Sequence, residues 1–271
     1  LTSGNFSMKK IVSALVLAGM VGTPAMVMAE DSPHTLSGNV TLTSDYIFRG
    51  ISQTGGDPAI QGGLDYTHSS GFYLGTWASN VGWLEDFQLY DKGNMEIDLY
   101  GGYRGTIGES DFTFDVGAIQ YWYPGDNKTG GFNDADTSEV YGAVGWKWFT
   151  VKGSYYLSNE VFGFGDMSSP TGGDADGSYY LAISGSYPIG ETGVTLGASL
   201  GTFSFENSDQ ADYDDYSISA TYDMGKLSTV TKGVTVGLKY TDTNAEESVW
   251  TDMNGEFLGD DAFTFWITKA L

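Results

Sequence analysis

The chain has 271 residues, with 12 Lys+Arg against 35 Asp+Glu for a formal charge of −23, no cysteine, 39 glycines and 15 % aromatic residues. Acidic disordered chains are poor in aromatics, so disorder is excluded; nucleic-acid binding is excluded by the want of a basic face. Without cysteine there is no disulfide framework, thiolate metal site or cysteine nucleophile.

At the start, Met8-Lys9-Lys10, the apolar run from Ile11 to Val21 and the residues Val27-Met28-Ala29 have the pattern of a secretory signal peptide. This predicts export through the Sec pathway, with residues 1–7 upstream of an initiator Met8 and 8–29 removed by cleavage before Glu30. Residues 30–271 then form one mature domain. Nothing later in the chain is long and apolar enough to span a bilayer as a helix.

From residue 35 onward the dominant period is two, the mark of strands with two different faces. Leu36, Gly38, Val40, Leu42, Tyr46 and Phe48 share one face of the first strand, while Ser37, Asn39, Thr41, Thr43, Asp45 and Arg49 share the other. Twelve such segments are predicted, at 35–48, 59–67, 72–81, 94–106, 112–123, 138–148, 151–159, 178–189, 194–205, 215–225, 234–243 and 261–271. Short turns at His68–Gly71, Ile107–Asp111, Phe149–Thr150, Gly190–Gly193 and Lys226–Gly233 alternate with longer connections at Ile51–Pro58, Gly82–Gly93, Pro124–Thr137, Glu160–Gly177, Glu206–Asp214 and Asn244–Asp260. Strands of about 9–11 residues, even in number, with short turns on one side and long loops on the other, describe an outer-membrane barrel.

Aromatic placement agrees with this. Tyr46, Phe48, Tyr121, Trp122, Tyr123, Tyr179 and Tyr216 lie beside long loops, and Tyr66, Phe72, Phe112, Trp146, Trp148, Tyr187 and Tyr222 beside short turns. They are expected to form the two girdles at the membrane interfaces. An exported sandwich would alternate as well, but explains neither the girdles nor the loop lengths. The fold class is therefore all-β: a single transmembrane antiparallel barrel of about twelve strands, with short periplasmic turns and long acidic extracellular loops.

The segment Ser44-Asp45-Tyr46-Ile47-Phe48-Arg49-Gly50-Ile51-Ser52-Gln53-Thr54 resembles the signature of the TorF porin family. Asp57–Tyr66, Gly71–Asn80 and Glu96–Tyr103 are similar to the segments that follow it in that family. The resemblance covers about the first third of the mature chain. It implies a Gram-negative outer-membrane barrel acting as a pore. At the other end the chain departs from the usual terminal aromatic residue, carrying Leu271 and placing Lys269 on the apolar face.

Most of the 35 acidic residues fall in or beside the long loops, where the bases are Arg49, Lys92 and Lys128. The inward charges are expected to be Asp45, Asp65, Glu96, Asp98, Asp115, Glu139 and Asp223 against Arg104, Lys147, Lys152 and Lys239. The Phe149–Thr150 turn would set Lys147 opposite Lys152, so that Arg104, Lys147 and Lys152 form a basic ring facing Asp45, Asp98 and Glu139. The same charges could equally tie a closed barrel together.

Asp174-Ala175-Asp176-Gly177 and Asp252-Met253-Asn254-Gly255 are similar to calcium loops but lack the downstream bidentate Glu. No metal, cofactor or catalytic residue is expected. His34 and His68 stand where neither can serve a serine of the long-loop side.

The function expected is passive passage of ions or small solutes, with cation preference from the acidic mouth. The alternative is a closed structural or adhesion barrel whose acidic loops bind cations, lipopolysaccharide or a partner. Expected partners are outer-membrane lipid and lipopolysaccharide, the barrel-assembly machinery, and small solutes or cations.

Overall fold

The computed structural model describes residues 32–127, 134–165 and 174–271. The expected signal peptide, its expected cleavage position and Lys128 lie outside the described residues. Twelve antiparallel strands close into one barrel: β1 (His34–Thr43), β2 (Ala59–His68), β3 (Phe72–Asn80), β4 (Met95–Thr106), β5 (Phe112–Trp122), β6 (Thr137–Trp146), β7 (Phe149–Tyr156), β8 (Tyr179–Pro188), β9 (Val194–Ser204), β10 (Tyr213–Asp223), β11 (Val234–Thr243) and β12 (Ala262–Ala270). Each pairs with its chain neighbours, and β12 closes the ring on β1 through Asn39 opposite Ala270 to Thr43 opposite Trp266. Closure leaves no edge strand unpaired, so the backbone groups of the wall are satisfied within it.

The alternation sorts the side chains. Leu36, Leu64, Leu74, Val116, Leu181, Leu200, Ile218, Phe263 and Phe265 all stand exposed on the outer surface. An apolar belt of that extent marks a lipid-facing wall. At the short-turn rim Phe72, Phe112, Trp146, Trp148 and Tyr187 face outward, as a girdle requires. Lys269 is also exposed at this rim and donates to the Lys232 carbonyl at 2.7 Å.

At the long-loop rim only part of the expected girdle forms. Trp122, Tyr179 and Tyr216 face out, whereas Tyr46, Tyr121 and Tyr123 are buried inside and Phe48 packs against them. Tyr121 and Tyr123 share the inward phase of β5, opposite to Trp122, while for Tyr46 and Phe48 the cause is an early end to β1. The first strand stops at Thr43, and the chain turns into the lumen instead of running on to residue 48.

A second correction concerns the turn between β6 and β7. Trp146 pairs with Phe149, so the turn residues are Lys147 and Trp148 rather than Phe149 and Thr150. Lys147 adopts a φ of 53°, which points it away from the wall. Its expected position opposite Lys152 belongs to Ala143.

Strand glycines seat the inward rings. Tyr100 lies over Gly75, Tyr73 over Gly102, Tyr141 over Gly117, Tyr180 over Gly201 and Trp266 over Gly237. A Cβ at Gly237 would stand 2.0 Å from the Trp266 ring. The high glycine content therefore gives flat rings room against the wall.

Candidate functional site in the barrel interior

The segment between β1 and β2 folds into the lumen. Residues 47–48 pair with 51–52 across a tight reversal at Arg49 and Gly50, whose φ angles are 47° and 89°. Gly50 is required there on two counts: its positive φ, and the approach of Thr243 and Asp215 to within 2.7 Å of where a Cβ would be. The base of the reversal is held by Asp45, which accepts from the Ser52 hydroxyl at 2.7 Å and the Thr54 hydroxyl at 2.9 Å. Gln53 N–H donates to the Tyr46 carbonyl at 2.7 Å. The stretch Ser44–Thr54 is thus a plug built from its own short polar side chains.

Arg49 forms the tip of the plug and crosses to the far wall. Its guanidinium donates to Glu139 on β6 at 2.7 Å and also to the Tyr156 hydroxyl on β7. It lies 4.3 Å from the Tyr180 ring centroid and 4.8 Å from that of Phe48. The two charged side chains are 3 % and 0 % exposed. Burial works against the Arg49 charge, but the Glu139 carboxylate together with the Tyr156, Tyr121 and Tyr180 phenols outweighs it and holds the guanidinium above its ordinary pKa. Glu139 is further met by Lys152 at 3.4 Å, Ser154 at 2.6 Å and Tyr121 at 3.0 Å. A buried carboxylate with this many partners is the condition under which burial is tolerated.

Around this bridge the inner wall carries further carboxylates. Asp115 accepts from Tyr73 at 2.6 Å, Asp65 from Tyr100 at 2.7 Å and Asp215 from Tyr180 at 2.8 Å. Arg104 donates to Thr67 at 3.2 Å and stacks 4.7 Å from the Tyr73 ring centroid. Lys239 faces the charges of Asp45 and Asp215. Glu96 and Asp98 are buried next to one another on β4.

The two ends of the lumen differ. On the long-loop side Trp83, Leu84, Val161, Phe205, Ala211, Trp250 and Leu258 form a buried apolar cap continuous with the plug. Toward the short turns, β8–β10 line the interior with Ser184, Ser199, Ser217, Ser219 and Thr221, all partly exposed. The interior is therefore filled by buried side chains at the Arg49 level and lined by partly exposed hydroxyls nearer the short turns.

Of the expected inward charges, Asp45, Asp65, Glu96, Asp98, Arg104, Asp115, Glu139, Lys152 and Lys239 face the interior. Two do not. Lys147 is exposed at the rim, 4.0 Å from Asp111, because the turn has moved. Asp223 is exposed at the end of β10 and accepts from Gly225 N–H at 2.8 Å, serving as a turn cap. The basic ring of Arg104, Lys147 and Lys152 is therefore not assembled.

Among the described residues, Arg49, counted with the loop bases although it shares the polar phase of Asp45, and Asp215, the first residue of the predicted strand 215–225, are inward charges absent from the expected set. Asp215 shares the phase of Tyr213 and Ser217, opposite to Tyr216, and that signal was available. The 252–255 fragment turns its acid onto its own backbone: Asp252 accepts from Asn254 N–H at 2.8 Å and Glu256 N–H at 2.9 Å. Among the described residues no group of three or more His, Asp or Glu side chains is placed to hold a metal ion.

The family described as "bacterial protein of unknown function (Gcw_chp)" matches residues 28–271. Among solved structures, the NanC porin aligns with a TM-score of 0.53 at 11 % identity, covering 87 % of this chain and 98 % of that one. The KdgM porin aligns at 0.48 and 8 % identity, covering 87 % and 97 %. OprD of Pseudomonas aeruginosa aligns at 0.40 and 12 %, covering 90 % and 68 %. No curated protein matches the chain in sequence. At these identities the likeness concerns the fold, which is that of outer-membrane porins.

Proposed function

We propose that this chain, which belongs to the Gcw_chp family of bacterial proteins, is an outer-membrane channel for the passive passage of ions and small solutes. The observation that carries this reading is a closed barrel with an apolar belt outside and a charged, hydroxylated interior. Charged groups are tolerated on an inner wall where water or a partner meets them, and the partly exposed hydroxyls of β8–β10 supply the wetted surface that a channel needs. The fold shared with the NanC porin supports the same reading.

Two finer features belong to the proposal. The first is cation preference: seven carboxylates (Asp45, Asp65, Glu96, Asp98, Asp115, Glu139 and Asp215) face four bases (Arg49, Arg104, Lys152 and Lys239) inside, and the outer loops are acidic. The second is that the Ser44–Thr54 plug, the stretch similar to the TorF signature, sets the constriction. Export by cleavage of residues 8–29 would deliver the chain to the outer membrane.

The test is solute flux into liposomes carrying the purified barrel. Small cations and uncharged solutes of low mass should enter, and larger sugars should not. Liposomes as tight as protein-free ones to every solute would defeat the reading.

A further inference from the structure

We propose that Glu96 and Asp98 form a station for a monovalent metal cation, sodium or potassium, on the inner wall beside the plug. This deepens the channel reading and rests on it. Successive inward residues on a strand lie about 7 Å apart, so the two carboxylates are neighbours on one face. They are 1 % and 2 % exposed. Glu96 accepts from the Tyr46 hydroxyl at 3.0 Å and is also reached by the Tyr123 phenol. Asp98 stands between two rings, Trp77 opposite it on β3 and Tyr121 opposite it on β5. Its Oδ1 is buried and meets no hydrogen-bond donor among the described residues.

An ionised carboxylate in such surroundings needs a positive partner. The nearby bases are committed elsewhere: Arg49 at 2.7 Å and Lys152 at 3.4 Å both serve Glu139. Two carboxylates, two phenol oxygens and the flanking ring faces supply oxygen ligands and cation–π attraction for one small cation. Calcium would ask for six to eight oxygens, and the described residues gather no third carboxylate there for a multivalent ion. A singly charged ion suits the donor set.

The experiment compares wild type with Asp98→Asn and Glu96→Gln, whose amides keep side-chain shape. Heat-modifiable migration checks that each barrel has folded, and Tyr46→Phe replaces either variant that has not. In planar bilayers each variant should lower the K+/Cl− permeability ratio roughly fivefold, the Boltzmann factor of one unit charge about 4 Å away in water. A conducting wild type with an unchanged ratio in both variants overturns the station and leaves the channel reading standing. A wild type that does not conduct overturns the channel reading, and thermal unfolding then decides the station alone. Replacing K+ by the bulky N-methylglucamine cation at equal ionic strength should lower the Tm of wild type and leave the double variant unmoved. Equal shifts overturn the proposal. So does an infrared band of a protonated carboxyl at neutral pH that disappears in Asp98→Asn, because a proton would then be the partner.

Discussion

Arg49→Ala tests whether the plug is held by its charged tip. The substitution leaves Glu139 fully buried with one remaining cation, Lys152 at 3.4 Å. Removing one partner of a buried pair costs about 3–5 kcal/mol, and the residual Lys152 contact points to the lower end. The Phe48 and Tyr180 faces that stack on the guanidinium add roughly 0.5–2 kcal/mol. A net loss of about 3.5–5 kcal/mol shifts the balance between inserted and released plug by roughly two and a half to three and a half decades. The barrel ladder is untouched, so heat-modifiable migration should persist.

Two assays read the change. Chymotrypsin added to reconstituted protein should cleave at Tyr46 or Phe48, which are shielded in wild type. Open-channel conductance should rise and become noisier. Lys152→Met should have a smaller effect in both, since its contact to Glu139 is longer and its side chain more exposed. An Arg49→Ala protein with wild-type cleavage and wild-type conductance would refute the role given to the tip.

Three further outcomes follow from the wall and loops. Lys147→Gly should leave conductance and selectivity as they are and hold or slightly raise the Tm, because the residue sits outside the lumen at a φ of 53°; altered selectivity would return it to the pore. Gly237→Val should cost about 1–3 kcal/mol by driving into the Trp266 ring, seen as a lower Tm and a changed tryptophan emission; an unchanged Tm would deny the ring seat. In the loop after β3, burial and then the Asp252 charge hold the Asp86 carboxyl above its usual range. The protonated form is therefore favoured in the folded loop, and that stabilisation is lost as pH rises through the raised pKa. Hydrogen-exchange protection of residues 83–94 should fall over that window and flatten in Asp86→Asn; protection that climbs with pH would contradict the sign.

Strand positions were legible because lipid outside and polar groups inside impose a strict two-residue period on each segment of the wall. The same period concealed the plug. Tyr46 and Phe48 alternate with Asp45 and Arg49 as a longer β1 would require, and an aromatic that packs inside the lumen looks like one that faces lipid. What separates them is the cluster of Ser52, Thr54 and Gly50, which lets Asp45 and the φ angles at Arg49 and Gly50 close a reversal. That is a tertiary fact.

The turn after β6 was ambiguous for a related reason. Trp146, Trp148 and Phe149 put aromatics on both phases of the alternation, so pattern alone could set the turn at either place. The apolar cap of Trp83, Phe205 and Trp250 went unseen because Trp83 and Trp250 sit in different acidic loops and Phe205 ends the predicted strand 194–205, and only closure of the barrel brings them together.

The most direct test of the channel reading is single-channel recording in planar bilayers with a salt gradient. Discrete conductance steps with a reversal potential on the cation side are expected from an acidic lumen with the Ser44–Thr54 plug folded into it. A silent bilayer, or a reversal potential on the anion side at low salt, would contradict that reading.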